Sequence, residues 1–175
     1  MSMFTVRQPK AGEFSLDEGW RVAVIKDAKR GEYNGTKYLD MWFEGMPDKL
    51  NLRIWEVRNS STNEEFAINT ALLYANVPLK DSGMKDSDGN PVVELSDNVR
   101  DLIGKKLSIY VYKDASGYHN IFNRVAPGAE FTNIVVSYKD TDIAGIKKYA
   151  DKNFETYVGS KLKAATSPAT TGAAW

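Results

Sequence analysis

Between Tyr38 and Trp55 the sequence alternates twice with period two, a pattern that a pleated strand satisfies and a helix does not. In the first run Leu39, Met41 and Phe43 share one face, with Tyr38, Asp40, Trp42 and Glu44 on the other. In the second, Leu50, Leu52 and Ile54 stand opposite Asn51, Arg53 and Trp55. The aliphatic faces belong to a core, since burying apolar surface is worth about 25 cal/mol per Å2. Tyr38, Trp42, Arg53 and Trp55 are then predicted on the outer face of neighbouring strands, where folding gives little reason to place large rings. A single-stranded nucleic acid supplies one, because each unpaired base has a π-face to stack and each phosphate attracts a cation. The competing structural reading is that the rings cover the core from outside or pack beneath the C-terminal segment.

Four further strands follow from the same pattern. Trp20–Lys29 is a nearly continuous apolar run through Val22, Ala23, Val24 and Ile25, expected of a strand covered on both faces or bent round a barrel. It leads into Lys29, Arg30 and Tyr33 and then Asn34-Gly35, the strongest short hairpin signal, because a type I′ turn needs positive φ at both central residues. Lys106–Lys113 points Leu107, Ile109 and Val111 inward and Ser108, Tyr110 and Tyr112 outward. After the turn Asp114–Gly117, Tyr118–Val125 returns with Ile121 and Val125 inward and Asn120, Phe122 and Arg124 outward. Phe131–Tyr138 has the composition of a sixth strand, free to pair with an edge or with an N-terminal arm that includes Phe4–Arg7.

Two helices are predicted. Asn59, Ser60, Ser61 and Thr62 are N-cap candidates ahead of a helix over Asn63–Val77, with Glu64 and Glu65 in its first turn and Pro78 ending it. Its apolar stripe reads Phe66, Thr70, Leu73 and Val77. Asp140–Asp142 caps a second helix, in which Ile143, Ile146, Ala150, Phe154, Tyr157 and Leu162 recur at helical spacing and Asn153 or Gly159 is a breaking point. Between the helices, Val99–Ile103 is a short helical lead-in. Asp86–Asn90 carries its glycine fourth rather than sixth, so it reads as a hairpin turn and not a calcium loop. The last ten residues, TSPATTGAAW, are too small and polar to pack and are expected to be disordered.

Composition narrows the chemistry. The chain has no cysteine, which excludes disulfides, thiolate metal sites and cysteine nucleophiles. Its one histidine, His119, has no nucleophile motif beside it, and the carboxylates show no spacing suited to a two-metal site, so no catalytic residue, metal or cofactor is expected. No run reaches the ~18 apolar residues of a membrane span, and the opening MSMFTVRQPK lacks the apolar stretch of a signal peptide; a cytoplasmic protein is expected. Net charge is zero, but it is segregated along the chain. Trp20–Arg58 and Gly104–Arg124 together carry +5, and Ser60–Ile103 carries −5. A basic strand surface beside an acidic insert suits phosphate binding on one side.

Three strands, a helix and two strands is the order of the OB-fold, a five-stranded Greek-key barrel that binds oligonucleotides or oligosaccharides across its second and third strands and two flanking loops. The expected architecture is therefore a mainly β, single OB-fold domain over 1–165, with a barrel core at about 18–128, an N-terminal arm, a C-terminal helical extension and a tail at 166–175. Lys29, Arg30 and Tyr33 would occupy one flanking loop, and Lys113 and Tyr118 the other. In GEYNGTKYLDMWFE, LNLRIWEV and GKKLSIYVYKDASGYHNIFNRVAP the sequence resembles the OB-fold single-stranded DNA-binding proteins of bacteriophages. The resemblance implies a replication, recombination or repair accessory that coats exposed strands without catalysis or strong sequence preference, in the host cytoplasm, alongside replication proteins. Cellular relatives commonly end in an acidic tip that recruits partners; here Trp175 ends the chain with no acid near it, which leaves such recruitment open.

The expected nucleic-acid-binding set is Lys29, Arg30, Tyr33, Tyr38, Trp42, Arg53, Trp55, Tyr110, Tyr112, Lys113, Tyr118, Phe122 and Arg124. Stacking and phosphate contacts ignore the sugar, so RNA stays open beside DNA, as does association with a second copy of the chain. The alternative function is a protein-interaction or structural module whose aromatic face binds a partner chain.

Overall fold

A single strand, β1 (Gly19–Tyr33), joins the two halves of the main sheet in the computed structural model, which describes residues 16–166. Its first half, Gly19–Val24, pairs antiparallel with β6 (Lys106–Lys113). From Ile25 onward it pairs instead with β2 (Thr36–Phe43), and the register shifts between Ile25 and Asp27. A bulge of this kind bends a strand and tightens its twist, which lets one strand serve two sheets. The hairpin to β2 turns at Asn34 and Gly35 with φ of 50° and 80°, the type I′ geometry the dipeptide predicts.

The strand order is β3 (Leu52–Trp55), β2, β1, β6, β7 (His119–Ile121), with β8 (Ala126–Pro127) on β6, all antiparallel. The fold is mainly β as expected, but β3 and β7 are edges and do not pair with each other, so the sheet is open and not a closed five-stranded barrel. The residues predicted inward form the core: Leu39, Met41, Phe43, Leu52, Leu107, Ile109 and Val111 are fully buried together with Ile25. Val22 is exposed, so of the two readings of its apolar run, covered on both faces or bent, the bent strand is the one found.

Helix α1 is shorter than predicted, Ala67–Tyr74, because side chains upstream claim the backbone groups a longer helix would use. The Asn59 carboxamide oxygen accepts from Ser61 N and Thr62 N and makes a turn. Glu65 does not ride in the first turn; its carboxylate accepts from Val57, Ala67 and Asn69 N–H groups and acts as the cap. The helix ends before Pro78, at left-handed Asn76 (φ 57°), with the Schellman pair Asn76 N to Leu73 O and Val77 N to Leu72 O. Its buried face is Ile68, Ala71 and Leu72, rotated from the predicted stripe, which leaves Phe66 exposed and Thr70 half-buried.

Residues Leu79–Lys85 (β4) and Pro91–Leu95 (β5) form a separate hairpin, turned by Asp86, whose carboxylate accepts from Asp88 N and Asn90 N. A 3-10 turn over Val99–Leu102 follows. The predicted sixth strand is instead a small hairpin of its own, β9 (Phe131–Thr132) and β10 (Ser137–Tyr138), because the Asn133 side chain accepts from Val135 N and Val136 N and reverses the chain.

Helix α2 (Asp140–Phe154) starts where predicted, with Asp142 accepting from Lys139 N as in a capping box. It passes through a π turn at Glu155–Gly159 into α3 (Ser160–Thr166). The expected strand at residues 4–7 and the tail from residue 167 lie outside the described residues. No helix among the described residues is long and apolar enough to cross a membrane.

Helix α2 seals the outer face of β6 and β7. Phe154 lies 4.8 Å from the Tyr110 ring, 5.1 Å from Tyr112 and 5.3 Å from Phe122, while Trp20 packs edge-on to Tyr110 and donates Nε1–H to Asp151 at 2.8 Å. Burial raises the Tyr110 and Tyr112 phenols above their ordinary range, with nearby Asp151 and Asp114 respectively adding to the effect. A phenol whose pKa is raised by folding stabilises the fold fully below its unfolded value and loses that contribution as pH rises through the folded one. The melting temperature is therefore expected to hold between about pH 7 and 9 and to fall above about pH 10, where tyrosine begins to ionise; a thermal melt series across that range checks it.

Candidate nucleic-acid interface

Register places five of the expected residues on one uncovered face. Tyr38 pairs with Gly31 on one side and Trp55 on the other; Asp40 pairs with Lys29 and Arg53; Trp42 pairs with Asp27. The outer surface of β1, β2 and β3 is thus a grid of cross-strand rows in which Trp55, Tyr38, Arg53, Lys29 and Trp42 are neighbours. Tyr33 extends it, standing 64% exposed at the hairpin tip on the same alternation.

The centre of the grid is a built cluster. Tyr38 and Trp55 meet edge to face at 5.1 Å, and the Arg53 guanidinium lies 3.8 Å above the Tyr38 ring and 5.5 Å from Trp55. Arg53 also donates Nε and Nη2 hydrogens to the two oxygens of Asp40, at 2.7 and 2.8 Å. Asp40 is 5% exposed, so the pair pins a partly exposed guanidinium over a buried carboxylate. That hydrogen bond raises the Arg53 pKa further, and the side chain stays charged at any working pH. Gly31 makes the arrangement fit, since a Cβ there would overlap the Tyr38 ring. Trp42 is half-buried, its Nε1–H held by the Asp48 carbonyl at 2.8 Å, so one edge is fixed by the loop between β2 and β3.

Other expected residues fall elsewhere. Tyr110 and Tyr112 do point to the outer side of β6, with Phe122 just after β7 beside them, but α2 covers all three, and Phe122 is buried. They are a docking seat for Phe154 and not a free stacking surface, which corrects their place in the expected set. Arg30 pairs with Leu39, on the opposite alternation from Lys29, and is exposed. Lys113 and Tyr118 sit by the turn from β6 to β7, near Glu18, which accepts from Lys113 N. That turn lies at the other end of β1 from Tyr33, so the two loops are separated by the length of the strand. Tyr118 is 71% exposed there.

Arg124, expected on the outer strand face, stands in a separate place. It lines a cleft of about 290 Å3 between β3, α1, the segment after β7 and α2, shared with Trp55, Phe66, Thr70, Tyr74 and Tyr149. Burial raises the Tyr74 phenol, and Arg124 partly offsets this. Helical spacing puts Phe66 on the apolar stripe of α1 and gives Tyr149 no special place; the rotation of α1 and the docking of α2 bring them together. No cluster of three or more histidine or acidic side chains suited to a metal ion occurs among the described residues.

No protein-family model matches this sequence, and neither a curated protein nor a solved structure does, so the face formed by Lys29, Tyr33, Tyr38, Trp42, Arg53 and Trp55 stands on its own geometry.

Proposed function

We propose that the protein binds single-stranded DNA across the outer face of β1, β2 and β3, as an OB-type fold that coats exposed strands during phage-type replication, recombination or repair and performs no reaction on them. The observation that carries the reading is the Tyr38–Arg53–Trp55 cluster: aromatic faces and a guanidinium held together on a sheet surface away from the Phe154 seat of α2. Bases stack on such rings at about 1–3 kcal/mol each with little regard for sequence. The fold reading is supported by a bent first strand shared between both halves of the sheet, a helix between the third strand and the return to β1, and a partly open barrel being ordinary for this class.

The test is a binding titration of a homopolymeric DNA oligonucleotide, its RNA counterpart and a duplex at two salt concentrations. DNA single strands should bind more tightly than the duplex, and affinity should fall with salt at about −0.7 per phosphate neutralised, in log–log terms. A protein-binding module would show neither, and the RNA arm decides the sugar preference.

The Asp40–Arg53 pair refines the electrostatics. Arg53 brings its charge to the surface already partnered, so it serves as a stacking plate as much as a phosphate clamp. Asp40→Asn keeps the volume but removes the buried negative charge and one of the two acceptors that hold Arg53, which frees the guanidinium. It should tighten DNA binding and steepen the salt dependence by up to about 0.7, measured by the same titration.

A further inference from the structure

We propose that the cleft behind Trp55 receives one nucleobase of the bound strand, turned out of the stack, with the adjoining phosphate at Arg124. This rests on the single-strand reading above and adds a subsite to it. The cleft opens in the gap between the two sheet edges, flanked by Ile54 and Trp55 on one side and Asn123–Val125 on the other. Trp55 belongs to both places: it meets Tyr38 on the sheet face and also lines the cleft, so a strand stacked on the platform runs to its mouth.

The lining suits a base better than any other occupant. Trp55, Phe66, Tyr74 and Tyr149 supply rings, Thr70 a hydroxyl, and Arg124 a cation with no ion pair among the described residues. Phe66 is 46% exposed and Tyr149 63%, large rings held at the surface that the core does not use. A volume of about 290 Å3 sits at the small end of ligand pockets, of the order of 300 Å3, which admits a base with its sugar and is too small for a partner helix about 10 Å across. Extruding a base from a single strand costs least, since no pairing is broken. An apolar peptide would leave Arg124 without a counter-charge, whereas a phosphate supplies one.

The test uses the full chain and a thymine-type oligonucleotide in which 5-iododeoxyuridine replaces thymidine, crosslinked by ultraviolet light and mapped by mass spectrometry. Adducts are expected at Phe66, Tyr74 or Tyr149 in addition to Tyr38 or Trp55. In parallel, Thr70→Phe fills the cleft and should weaken binding by about 5- to 150-fold, the worth of one stacked base. Should Thr70→Phe fail to fold by thermal melting, the exposed Arg124→Ala replaces it and should lower the salt slope by about 0.7. Adducts confined to the sheet face, with the cleft variant binding like the parent, would overturn the subsite while leaving the platform intact. No adduct and no binding by the parent would remove both. A dimer of the parent that Thr70→Phe dissociates, at unchanged DNA affinity, would give the cleft to a second copy of the chain and overturn the proposal.

Discussion

Phe154→Ala is expected to destabilise the protein by about 3–5 kcal/mol, the usual cost of truncating a buried phenylalanine. Phe154 of α2 packs against the rings of Tyr110, Tyr112 and Phe122, each within 5.3 Å, and aromatic pairs add about 0.5–1.5 kcal/mol beyond area burial. Denaturant titration followed by far-ultraviolet circular dichroism reads the loss. Under conditions where the variant stays folded with α2 still docked, DNA affinity should be unchanged, because Phe154 belongs neither to the platform on β2 and β3 nor to the lining of the cleft. A loss of affinity at retained stability would return Tyr110, Tyr112 and Phe122 to the binding surface.

Trp55→Ala is the second large effect, this time on binding. Removing a base platform costs about 1–3 kcal/mol, which is about 5- to 150-fold in affinity. Stability should change little: Trp55 is 37% exposed at an edge strand, and its neighbours Tyr38 and Arg53 remain tied to Gly31 and Asp40. The salt slope should also stay constant, since the indole neutralises no phosphate. Trp42→Ala should weaken binding as well, with a larger cost in melting temperature, because the half-buried Trp42 ring anchors the β2–β3 loop through the Asp48 carbonyl. Fluorescence anisotropy of a labelled oligonucleotide, beside a thermal melt of each variant, separates these outcomes.

What the sequence made legible is what depends on local alternation. The inward residues of β2, β3 and β6 and the turn at Asn34-Gly35 follow from period two and from backbone preference, so they are found as predicted. The outer faces were legible only as faces. Period two says that Tyr38 and Tyr110 both point away from the core, but whether water or a helix lies beyond depends on where α2 docks, more than 25 residues further along the chain. The pairing of Asp40 with Arg53 depended on register, which the loop from Glu44 to Asn51 sets and which alternation alone leaves undetermined. Likewise Glu65 suits a helix first turn by type, yet three backbone N–H groups converge on it and make it the cap. The open gap between β3 and β7, and the cleft in it, has no sequence signature because it arises from elements that fail to pair.

The central claim is that Trp55 is a stacking surface for bases. A variant retaining only that tryptophan, with Trp20, Trp42 and Trp175 changed to phenylalanine, reports on it alone. Titrating it with a homopolymeric DNA single strand should quench the emission saturably, and added salt should restore the signal as the strand dissociates. Emission that stays constant while an independent mobility assay shows the DNA bound would contradict the account.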